Sequence, residues 1–513
     1  MGGNQTSRTT CCTLTETNDM ATESRAPARR DELNRIVIEP LSRVEGHGKV
    51  TLLADDDNVI REARLHIVEF RGFELFIQGR PYWDVPVVVQ RLCGICPVSH
   101  HLAAGKAIDR IVGAENITPT AKKLRELVHF GQVLQSHALH FFHLSSPDLL
   151  FGFDSDVTKR NIFGVIEAHP EIAMQGVKLR KYGQEIIRAI CGKRIHGTGA
   201  VPGGMNKPLT AAEKEALLAD IDQITEWAQA AVLLAHDYYL SNQPLSVEFG
   251  TMPSNYLGLV RPDGALELYD GKLRARNADG GIIFDQENDL DYHEHIREEV
   301  RNWSYMKFPY LTALGSENGW YRVGPLARVN NCDYIDTPMA ERHREEFKAH
   351  GDNGMLHAPL AYHWARMIEL LHCAEKIREL LLDPEILGTD LIVRGSTRRN
   401  VGIGVIEATR GTLFHHYEVD DNDLVTKANL IVSTTNNNQA MNESIRQVAD
   451  KYLSGRELTE GLLNNIEVAI RAYDPCLSCA THAVGKMPLI VELQDTSGNP
   501  IDRLQKDSNG HLS

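Results

Sequence analysis

Long apolar runs are missing from this 513-residue sequence. It has no stretch of about 18 uncharged apolar residues, the length at which a run is read as a membrane-spanning helix. The opening residues, MGGNQTSRTTCC, lack the apolar core of a secretory signal. We therefore expect no membrane span, no export by a signal of the chain's own, and a cytoplasmic location.

Positive charge is also in short supply. The chain has 54 Lys and Arg against 69 Asp and Glu, so its formal net charge is −15. Affinity for nucleic acids depends on Lys and Arg contacts to phosphate, and the sequence has no basic patch with interleaved aromatic residues. The composition therefore excludes nucleic acid as the main partner.

Cysteine is too scarce for a disulfide-stabilised scaffold, since the whole chain has nine. In an intracellular protein, paired cysteines more often serve metal or redox chemistry. Four of the nine form two Cys-x-x-Cys pairs, whereas Cys191, Cys332 and Cys373 are isolated and Cys11 and Cys12 lie in a polar N-terminal segment. Beyond the two pairs, the sequence therefore offers no cysteine cluster for an iron–sulfur group.

Composition and periodicity divide the chain into three regions. Residues 1–34 are polar and poor in large apolar groups, which predicts a disordered tail. Residues 35–482 contain no low-complexity linker and are predicted to form one interwoven unit. Residues 483–513 follow as a C-terminal extension.

Within the central unit, helical periodicity prevails. Thr118 can cap a long helix in which Pro119 occupies the first turn. Alternating apolar residues predict a β-hairpin over residues 48–70 and strands over 401–419 and 428–434. Further helices are predicted at about residues 160–192, 210–241, 360–382, 439–453 and 458–472. The predicted fold is α+β and mainly helical, with a core of long bundled helices and small N-terminal and peripheral β-sheets.

The two Cys-x-x-Cys pairs are the main chemical feature. Cys93 and Cys96 lie in RLCGICPVSHH, and Cys476 and Cys479 lie in DPCLSCATH. Thiolates three residues apart in a turn converge on one metal ion, so two pairs supply four ligands. A closed structural zinc site is one reading, although zinc ribbons separate their pairs by about 15–20 residues. Two redox disulfides are another, but the βαβ pattern expected beside thioredoxin-like motifs is not found in the sequence.

Four motifs together resemble the catalytic large subunit of nickel–iron hydrogenases: RVEGH, RGFE, RLCGICPVSHH and DPCLSCATH. The resemblance runs from about Arg35 to the C-terminus. A finer resemblance to the bidirectional, NAD-linked, cytoplasmic group rests on VEFRGFE, EEVRNWSYMKFPYL, YRVGPLAR, NNNQAMN and DPCLSCATHAVGKMPL. The implied activity is the reversible heterolytic cleavage of dihydrogen to protons and electrons.

The resemblance implies a ligand set. All four cysteines would bind nickel, with Cys93 and Cys476 terminal. Cys96 and Cys479 would also bridge to an iron that carries carbon monoxide and cyanide. Soft thiolates suit such metals. Cys476 would take the proton first and Glu45 would relay it outward.

Other implied site residues surround the cysteines. Arg410, in EATRG, would donate hydrogen bonds to a cyanide, although Thr409 replaces the proline of the family's usual APRG. Thr434 would donate to a cyanide as well, and Asp474 would lie beside the site. His100 would donate a hydrogen bond to a bridging sulfur.

Two more residues resemble ligands of a nearby hard cation, usually magnesium: Glu74 and His482. Simpler structural interpretations remain for these residues. Glu45 could form an ion pair with Arg43, Arg410 could be exposed, Asp474 could cap a helix or turn, and His100 could be a core residue. Glu74 could form an exposed ion pair, and His482 could be solvated.

The resemblance also implies partners. An iron–sulfur small subunit would carry the electrons, and diaphorase subunits with flavin would pass them to NAD. VGIGVIEATRG has only two of the three glycines of a dinucleotide fingerprint, so NAD would bind another subunit. Nickel-insertion proteins and a maturation endopeptidase would act on the precursor, and the endopeptidase would remove Ala483–Ser513 after His482.

Three alternatives remain open at this point. The chain could be a metal-free scaffold like the quinone-binding subunit of respiratory complex I, or a structural zinc protein. It could also be an uptake hydrogenase, or a deazaflavin- or NADP-linked one, of the same family.

Overall fold

The computed structural model describes residues 33–481, 489–494 and 500–506. The predicted N-terminal tail, residues 1–34, falls almost wholly outside the described residues, and His482 falls outside them as well. Of the C-terminal extension, the two strands within residues 489–494 and 500–506 are described. No helix within the described residues has the length and apolar character needed to cross a membrane.

Helices make up about half of the described residues and the sheets are small, which confirms the predicted fold class. Short 3₁₀ and π-helical turns connect several of them. In chain order the α-helices are α1 Phe73–Ile77, α2 Val85–Val88, α3 Pro97–Ile111, α4 Pro119–Leu139, α5 Ser146–Phe151, α6 Ile162–Ala168, α7 Pro170–Cys191, α8 Ala211–Ser241, α9 Gln243–Glu248, α10 Tyr292–His295, α11 Gly315–Asn318, α12 Pro325–Asn331, α13 Pro338–Ala349, α14 Ala361–Leu382, α15 Ser433–Asn436, α16 Asn438–Val448 and α17 Glu460–Ala472.

The strands form small sheets around this helical body. In chain order they are β1 Asn34–Ile38, β2 Gly48–Ala54, β3 Ile60–Ile67, β4 Ala200–Val201, β5 Gly204–Met205, β6 Asn255–Val260, β7 Lys272–Arg276, β8 Ile282–Glu287, β9 Ile296–Glu299, β10 Phe308–Leu311, β11 Tyr321–Arg322, β12 Val401–Ala408, β13 Gly411–Val419, β14 Val425–Ile431, β15 Leu489–Gln494 and β16 Pro500–Lys506. The larger sheets have the orders β1-β2-β3, β11-β6-β7-β8 and β12-β13-β14. Neighbouring strands in them are antiparallel, except that β11 and β6 are parallel.

The core of the fold is a bundle of long helices. Helix α4 packs against α7 and α14, and α14 packs against α8. A continuous cluster of buried apolar side chains includes residues from Ile38 to Ala480. The segments that carry the two cysteine pairs therefore share one core, which is what brings the pairs together.

Local sequence features explain several element boundaries. The Thr118 hydroxyl accepts a hydrogen bond from Ala121 N at 3.2 Å, so it caps α4 as predicted. The helix predicted over residues 160–192 is instead two helices, α6 and α7. The backbone of His169 leaves the helical conformation, and Pro170 begins the second helix because a first turn tolerates proline.

Strands β12 and β13 pack on helix α3, and a glycine permits the close approach. A Cβ atom added at Gly404 would lie 2.0 Å from the Ala103 carbonyl oxygen of α3. The glycines of VGIG therefore serve helix–sheet packing in this fold. This packing fixes α3, which begins directly after Cys96, against the hairpin that carries Arg410.

Candidate metal centre

Four thiols from opposite ends of the chain converge in the interior. The Sγ atoms of Cys93, Cys96, Cys476 and Cys479 all lie within 4.8 Å of one another, and all four residues are buried. Cys93 and Cys476 are 3.4 Å apart, and Cys96 and Cys479 are 3.5 Å apart. Each N-terminal thiol thus pairs with a C-terminal one across a gap of 383 residues.

Backbone contacts hold the C-terminal pair in place. The backbones of Glu45 and Cys476 form an isolated parallel β-bridge, in which Leu477 N donates to the Glu45 carbonyl at 2.9 Å. Gly46 makes this approach possible, since a Cβ atom there would lie 2.6 Å from Ser478 N. The RVEGH and DPCLSCATH motifs are therefore one structural unit.

The Glu45 carboxylate faces the thiols. Its Oε2 atom accepts from the Cys476 thiol at 3.0 Å and from Ser478 N at 3.1 Å. Arg43 instead donates to Asp148 at 2.5 Å, so the ion pair between Glu45 and Arg43 that the sequence allowed is not formed. Burial raises the pKa of the Glu45 carboxyl, and the neighbouring Cys93 raises it further. The arrangement places a proton acceptor of raised affinity directly against one thiol.

The thiols themselves are electrostatically unequal. Burial raises the pKa of Cys476 well above the ordinary thiol value. The pKa of Cys93 is well below it, because hydrogen bonds from the other three cysteines, Cys476 foremost, stabilise its thiolate. All four thiols can ionise together only if a cation balances their charge, and four converging sulfurs are the ligands that soft transition metals prefer.

A small cavity opens beside the cysteines. Cys96, Cys476 and Cys479 form one wall, and His100, Arg410 and Thr434 are among the other lining residues. A closed structural zinc site needs no adjacent cavity, because four sulfurs complete the coordination of the zinc. The cavity fits a site with an open coordination position.

Arg410 is a buried member of this wall, at 3 % exposure, so the surface interpretation is wrong. Its Nε donates to the Asp474 carbonyl at 2.6 Å, and a terminal nitrogen donates to the Asp474 carboxylate at 3.0 Å. The other terminal nitrogen donates to the Thr409 hydroxyl at 3.1 Å. Asp474 therefore clamps Arg410 over the cavity, and Thr409 supplies an acceptor where a proline would have none.

Thr434 lies in the short helix α15, and its hydroxyl oxygen accepts from Cys476 N at 2.9 Å. It thus fixes the backbone of a candidate ligand. Since the hydroxyl accepts in this bond, its own proton can be donated to a group in the cavity.

His100 lies one turn into α3 and is 1 % exposed. Burial lowers its pKa to about 4, so the ring is neutral at pH 7. Its Nδ1 is 3.1 Å from His415 Nε2, and His415 Nδ1 is 2.5 Å from the Tyr417 hydroxyl. Sequence reasoning missed His415 and Tyr417, although their alternation in TLFHHYEV would have placed both on one face of a strand.

Glu74 lies apart from the thiol cluster, near the start of α1. It is 8 % exposed, and its Oε1 accepts from Leu430 N at 2.9 Å and lies 3.8 Å from Lys307 Nζ. Burial raises its pKa. Arg71 N, on the same segment, donates to the Thr481 carbonyl at 3.2 Å, so the chain just before His482 runs beside this segment. His482 lies outside the described residues.

A buried ion network that sequence reasoning missed lies behind Arg410. Arg328 donates to Glu369 through two nitrogens at 2.6 Å each and to Glu407 at 2.7 Å, and all three side chains are inaccessible. Arg328 also donates to the Ala408 carbonyl at 2.9 Å. The network therefore fixes the end of β12, two residues before Arg410.

A second buried network positions the segment that carries Glu45. Asp148 accepts from Arg43 at 2.5 Å and from Arg471 at 2.6 Å. Ser42 donates to Glu467 at 2.6 Å, and its carbonyl accepts from Arg471 at 3.1 Å. Residues before Glu45 are thereby tied to α17, which leads directly into the C-terminal cysteine pair.

Comparisons with known proteins agree with this geometry. A family model described as nickel-dependent hydrogenase matches residues 71–153 and 269–482, and one described as HoxL-like matches residues 35–70. The chain is 46% identical over 485 residues to the NAD-reducing hydrogenase HoxS subunit beta of Cupriavidus necator, covering 91% of this chain and 99% of the relative. It is 40% identical to an F420-non-reducing hydrogenase polypeptide of Methanothermobacter thermautotrophicus, covering 92% of this chain and 100% of the relative.

Solved structures extend the likeness to three dimensions. A crystal structure of an NAD+-reducing nickel–iron hydrogenase in the H2-reduced state superposes with a TM-score of 0.86 and 56% identity, covering 88% of this chain and 99% of that one. A Ni-Fe-Se hydrogenase of D. vulgaris Hildenborough, at 24% identity and a TM-score of 0.71, shares the fold. The chain therefore belongs to the nickel-dependent hydrogenase family, as a catalytic large subunit.

Proposed function

We propose that the chain is the hydrogen-activating subunit of a cytoplasmic, NAD-linked hydrogenase. The observation that carries this proposal is the convergence of four buried thiols beside an open cavity in a chain 46% identical to an NAD-reducing hydrogenase subunit. The 56% identity to a structurally characterised NAD+-reducing enzyme supports the acceptor.

The residues that would hold the metals follow from the geometry and the family. Nickel would be bound by Cys93, Cys96, Cys476 and Cys479, and iron would share Cys96 and Cys479. When bound, the pair would supply an open coordination position that polarises dihydrogen for heterolytic cleavage. The iron would carry carbon monoxide and cyanide, and the donors of Arg410 and Thr434 line the cavity in which those ligands would lie.

The protein's own part in the reaction is to move a proton and to orient donors. Cys476 would accept the proton, and the Glu45 carboxylate at 3.0 Å would take it from there. Asp474 would hold Arg410 so that its guanidinium faces the cavity. His100 would donate to a bridging sulfur and lower its basicity.

A magnesium ion bound by Glu74 and His482 is part of the proposal. Its support is a buried carboxylate that has one backbone donor and a lysine at 3.8 Å, on a segment that runs beside Thr481. A carboxylate oxygen suits magnesium. Magnesium content of the purified protein, compared between wild type and E74Q, tests this assignment, which is wrong if the two contents are equal.

Maturation would include removal of Ala483–Ser513. The motif that ends at His482 is followed by 31 residues, since 513 minus 482 is 31. A dedicated endopeptidase would cut after His482 once nickel-insertion proteins had loaded the site, allowing the last ligand segment to close. Intact mass tests this step: metal-loaded active enzyme should lack the extension, and full-length active enzyme would contradict it.

Electrons would leave through an iron–sulfur small subunit, from which flavin-bearing diaphorase subunits would pass them to NAD. The isolated cysteines of this chain offer no ligands for such clusters, as Cys191, Cys332 and Cys373 are buried singly. Exposed apolar side chains at Phe70 and Phe76 lie on the segment between Glu45 and the first cysteine pair, a candidate docking face for the small subunit.

The decisive experiment is hydrogen-dependent reduction of NAD+ by the purified complex, with NADP+, a deazaflavin and a quinone analogue as competing acceptors. NAD+ should be reduced fastest. A second candidate is an enzyme for a different acceptor, because a relative named as an F420-non-reducing hydrogenase is 40% identical and matches 92% of the chain. Preference for another acceptor with retained hydrogen activation would replace only the NAD assignment.

A further inference from the structure

A line of three buried side chains runs away from the metal-binding cavity. It begins at His100 in the cavity wall, passes through His415 and ends at Tyr417. His415 and Tyr417 are two residues apart in β13, so both project from the same face of the strand. All three residues are buried, with exposures of 1 %, 0 % and 0 %.

The proton positions along this line are linked. A neutral imidazole has one N–H donor and one acceptor nitrogen, so a proton at one end of each ring fixes the state of the other end. The 3.1 Å contact between His100 Nδ1 and His415 Nε2 needs a donor nitrogen on one ring and an acceptor nitrogen on the other, so at least one of the two rings is neutral. Burial raises the pKa of Tyr417 well above its ordinary value, so the phenol keeps its proton.

The direction of the line is set at Tyr417. Within the described part of the chain, His415 Nδ1 is the hydrogen-bond partner of the Tyr417 hydroxyl, at 2.5 Å. A buried hydroxyl that accepted this bond would leave its own proton unpaired, which carries the desolvation cost of an unsatisfied buried donor. Tyr417 therefore donates to His415 Nδ1, and the proton of His415 lies on Nε2.

The proton position of His415 determines that of His100 in the cavity wall. His415 Nε2–H donates to His100 Nδ1 at 3.1 Å, so the proton of His100 lies on Nε2, the ring nitrogen that remains available to the cavity wall shared with Cys96. We propose that Tyr417 and His415 are positioning residues that hold His100 in the Nε2–H tautomer, so that it presents a donor and not a lone pair to the thiolates. This inference rests on the proposed function for its effect on the metals, but the tautomer itself does not.

The first test is the tautomer of His100 in the full chain labelled with ¹⁵N in its histidine rings. The His100 resonances are those lost in H100Q. Wild type should carry the proton on Nε2, and Y417F should shift His100 to a mixture of both tautomers. Y292F is the matched control, because Tyr292 bonds His416 at 3.1 Å, the neighbouring position of the same strand. It should leave His100 unchanged.

A second pair of variants separates the relay from a general packing effect. The side-chain amide of glutamine can donate to His100 whether or not Tyr417 has a hydroxyl. H415Q should therefore keep His100 in the Nε2–H form, and adding Y417F to H415Q should change nothing. The proposal is overturned if Y417F keeps the wild-type tautomer of His100. It is also overturned if adding Y417F to H415Q changes the tautomer as much as adding it to wild type does.

The matured complex gives the functional readout. Infrared bands of iron-bound carbon monoxide and cyanide should shift in Y417F at unchanged nickel content, and should not shift further when Y417F is added to H415Q. Wild-type enzyme without these bands would refute the proposed metal site, and the tautomer measurement would still decide the role of Tyr417. Bands present in wild type and identical in Y417F refute the relay alone.

Discussion

Replacing Arg328 with methionine should destabilise the protein more than any surface ion-pair substitution. Among the described residues, Arg328 is the only Lys or Arg bonded to Glu369 and Glu407, and all three side chains have zero exposure. His137 lies 3.0 Å from Glu369 as well, but burial lowers its pKa to about 4, so it is neutral at pH 7. R328M would remove bonds of 2.6, 2.6 and 2.7 Å and leave two carboxylates in the interior. Breaking a buried pair by removing one partner costs about 3–5 kcal/mol. The lost bond to the Ala408 carbonyl adds about 1–3 kcal/mol.

The expected loss in the free energy of unfolding is therefore about 4–8 kcal/mol, the sum of those two ranges. Chemical denaturation of wild type and R328M, followed by circular dichroism, measures the change in midpoint. K427M is the matched control, because the pair of Lys427 with Glu418 is 59 % and 38 % exposed and contributes about 0–1 kcal/mol.

A compensated variant tests the electrostatic cause. Replacing Glu369 and Glu407 with glutamine in the R328M background removes the unbalanced charges, so the triple variant should be more stable than R328M alone. The reasoning is refuted if R328M loses no more stability than K427M, or if the triple variant is the least stable of all.

Three further predictions concern the site. E45Q keeps the acceptor for Ser478 N but removes the proton carrier, so hydrogen turnover should fall by about 10²–10⁴-fold at unchanged metal content; wild-type rates would contradict the relay. R410K keeps the charge but loses the planar fork held by Asp474, so turnover measured on fully loaded enzyme should fall by about 10²–10³-fold; a rate within twofold of wild type would count against this role. G404A places a Cβ atom 2.0 Å from the Ala103 carbonyl, so the unfolding midpoint should fall by the equivalent of about 1–3 kcal/mol, and an unchanged midpoint would show that α3 can move aside.

The sequence was sufficient for the features that local rules or fixed spacing encode. The cap at Thr118 and the alternation in the hairpin β2–β3 depend on neighbouring residues, and both were predictable. The two Cys-x-x-Cys motifs identified the candidate ligands, because chelation by a turn is also a local property.

Contacts between distant segments were harder to predict. Arg43 and Glu45 are two residues apart, which suggested an ion pair between them. Instead, the two side chains have different partners. The backbone at Arg43 is left-handed, with φ of 52°, and its guanidinium donates to Asp148 at 2.5 Å. Nothing in the sequence near residue 43 indicates that its acceptor is Asp148, 105 residues away.

The partners of His100 and Arg410 show the same limit. His415 is 315 residues from His100, and Asp474 is 64 residues from Arg410. Their pairing depends on the packing of β13 against α3 and on the turn before Cys476. Only the assembled fold brings these groups to hydrogen-bonding distance.

The central claim is that sulfurs from both ends of the chain enclose one nickel–iron pair. X-ray absorption at the nickel edge of the matured large subunit tests it most directly, since the spectrum reports the atoms around nickel. The account predicts nickel surrounded by the sulfurs of Cys93, Cys96, Cys476 and Cys479 with iron as a neighbour, and loss of that signature in C96S or C479S. Zinc in place of nickel, or nickel without sulfur ligands, would contradict it.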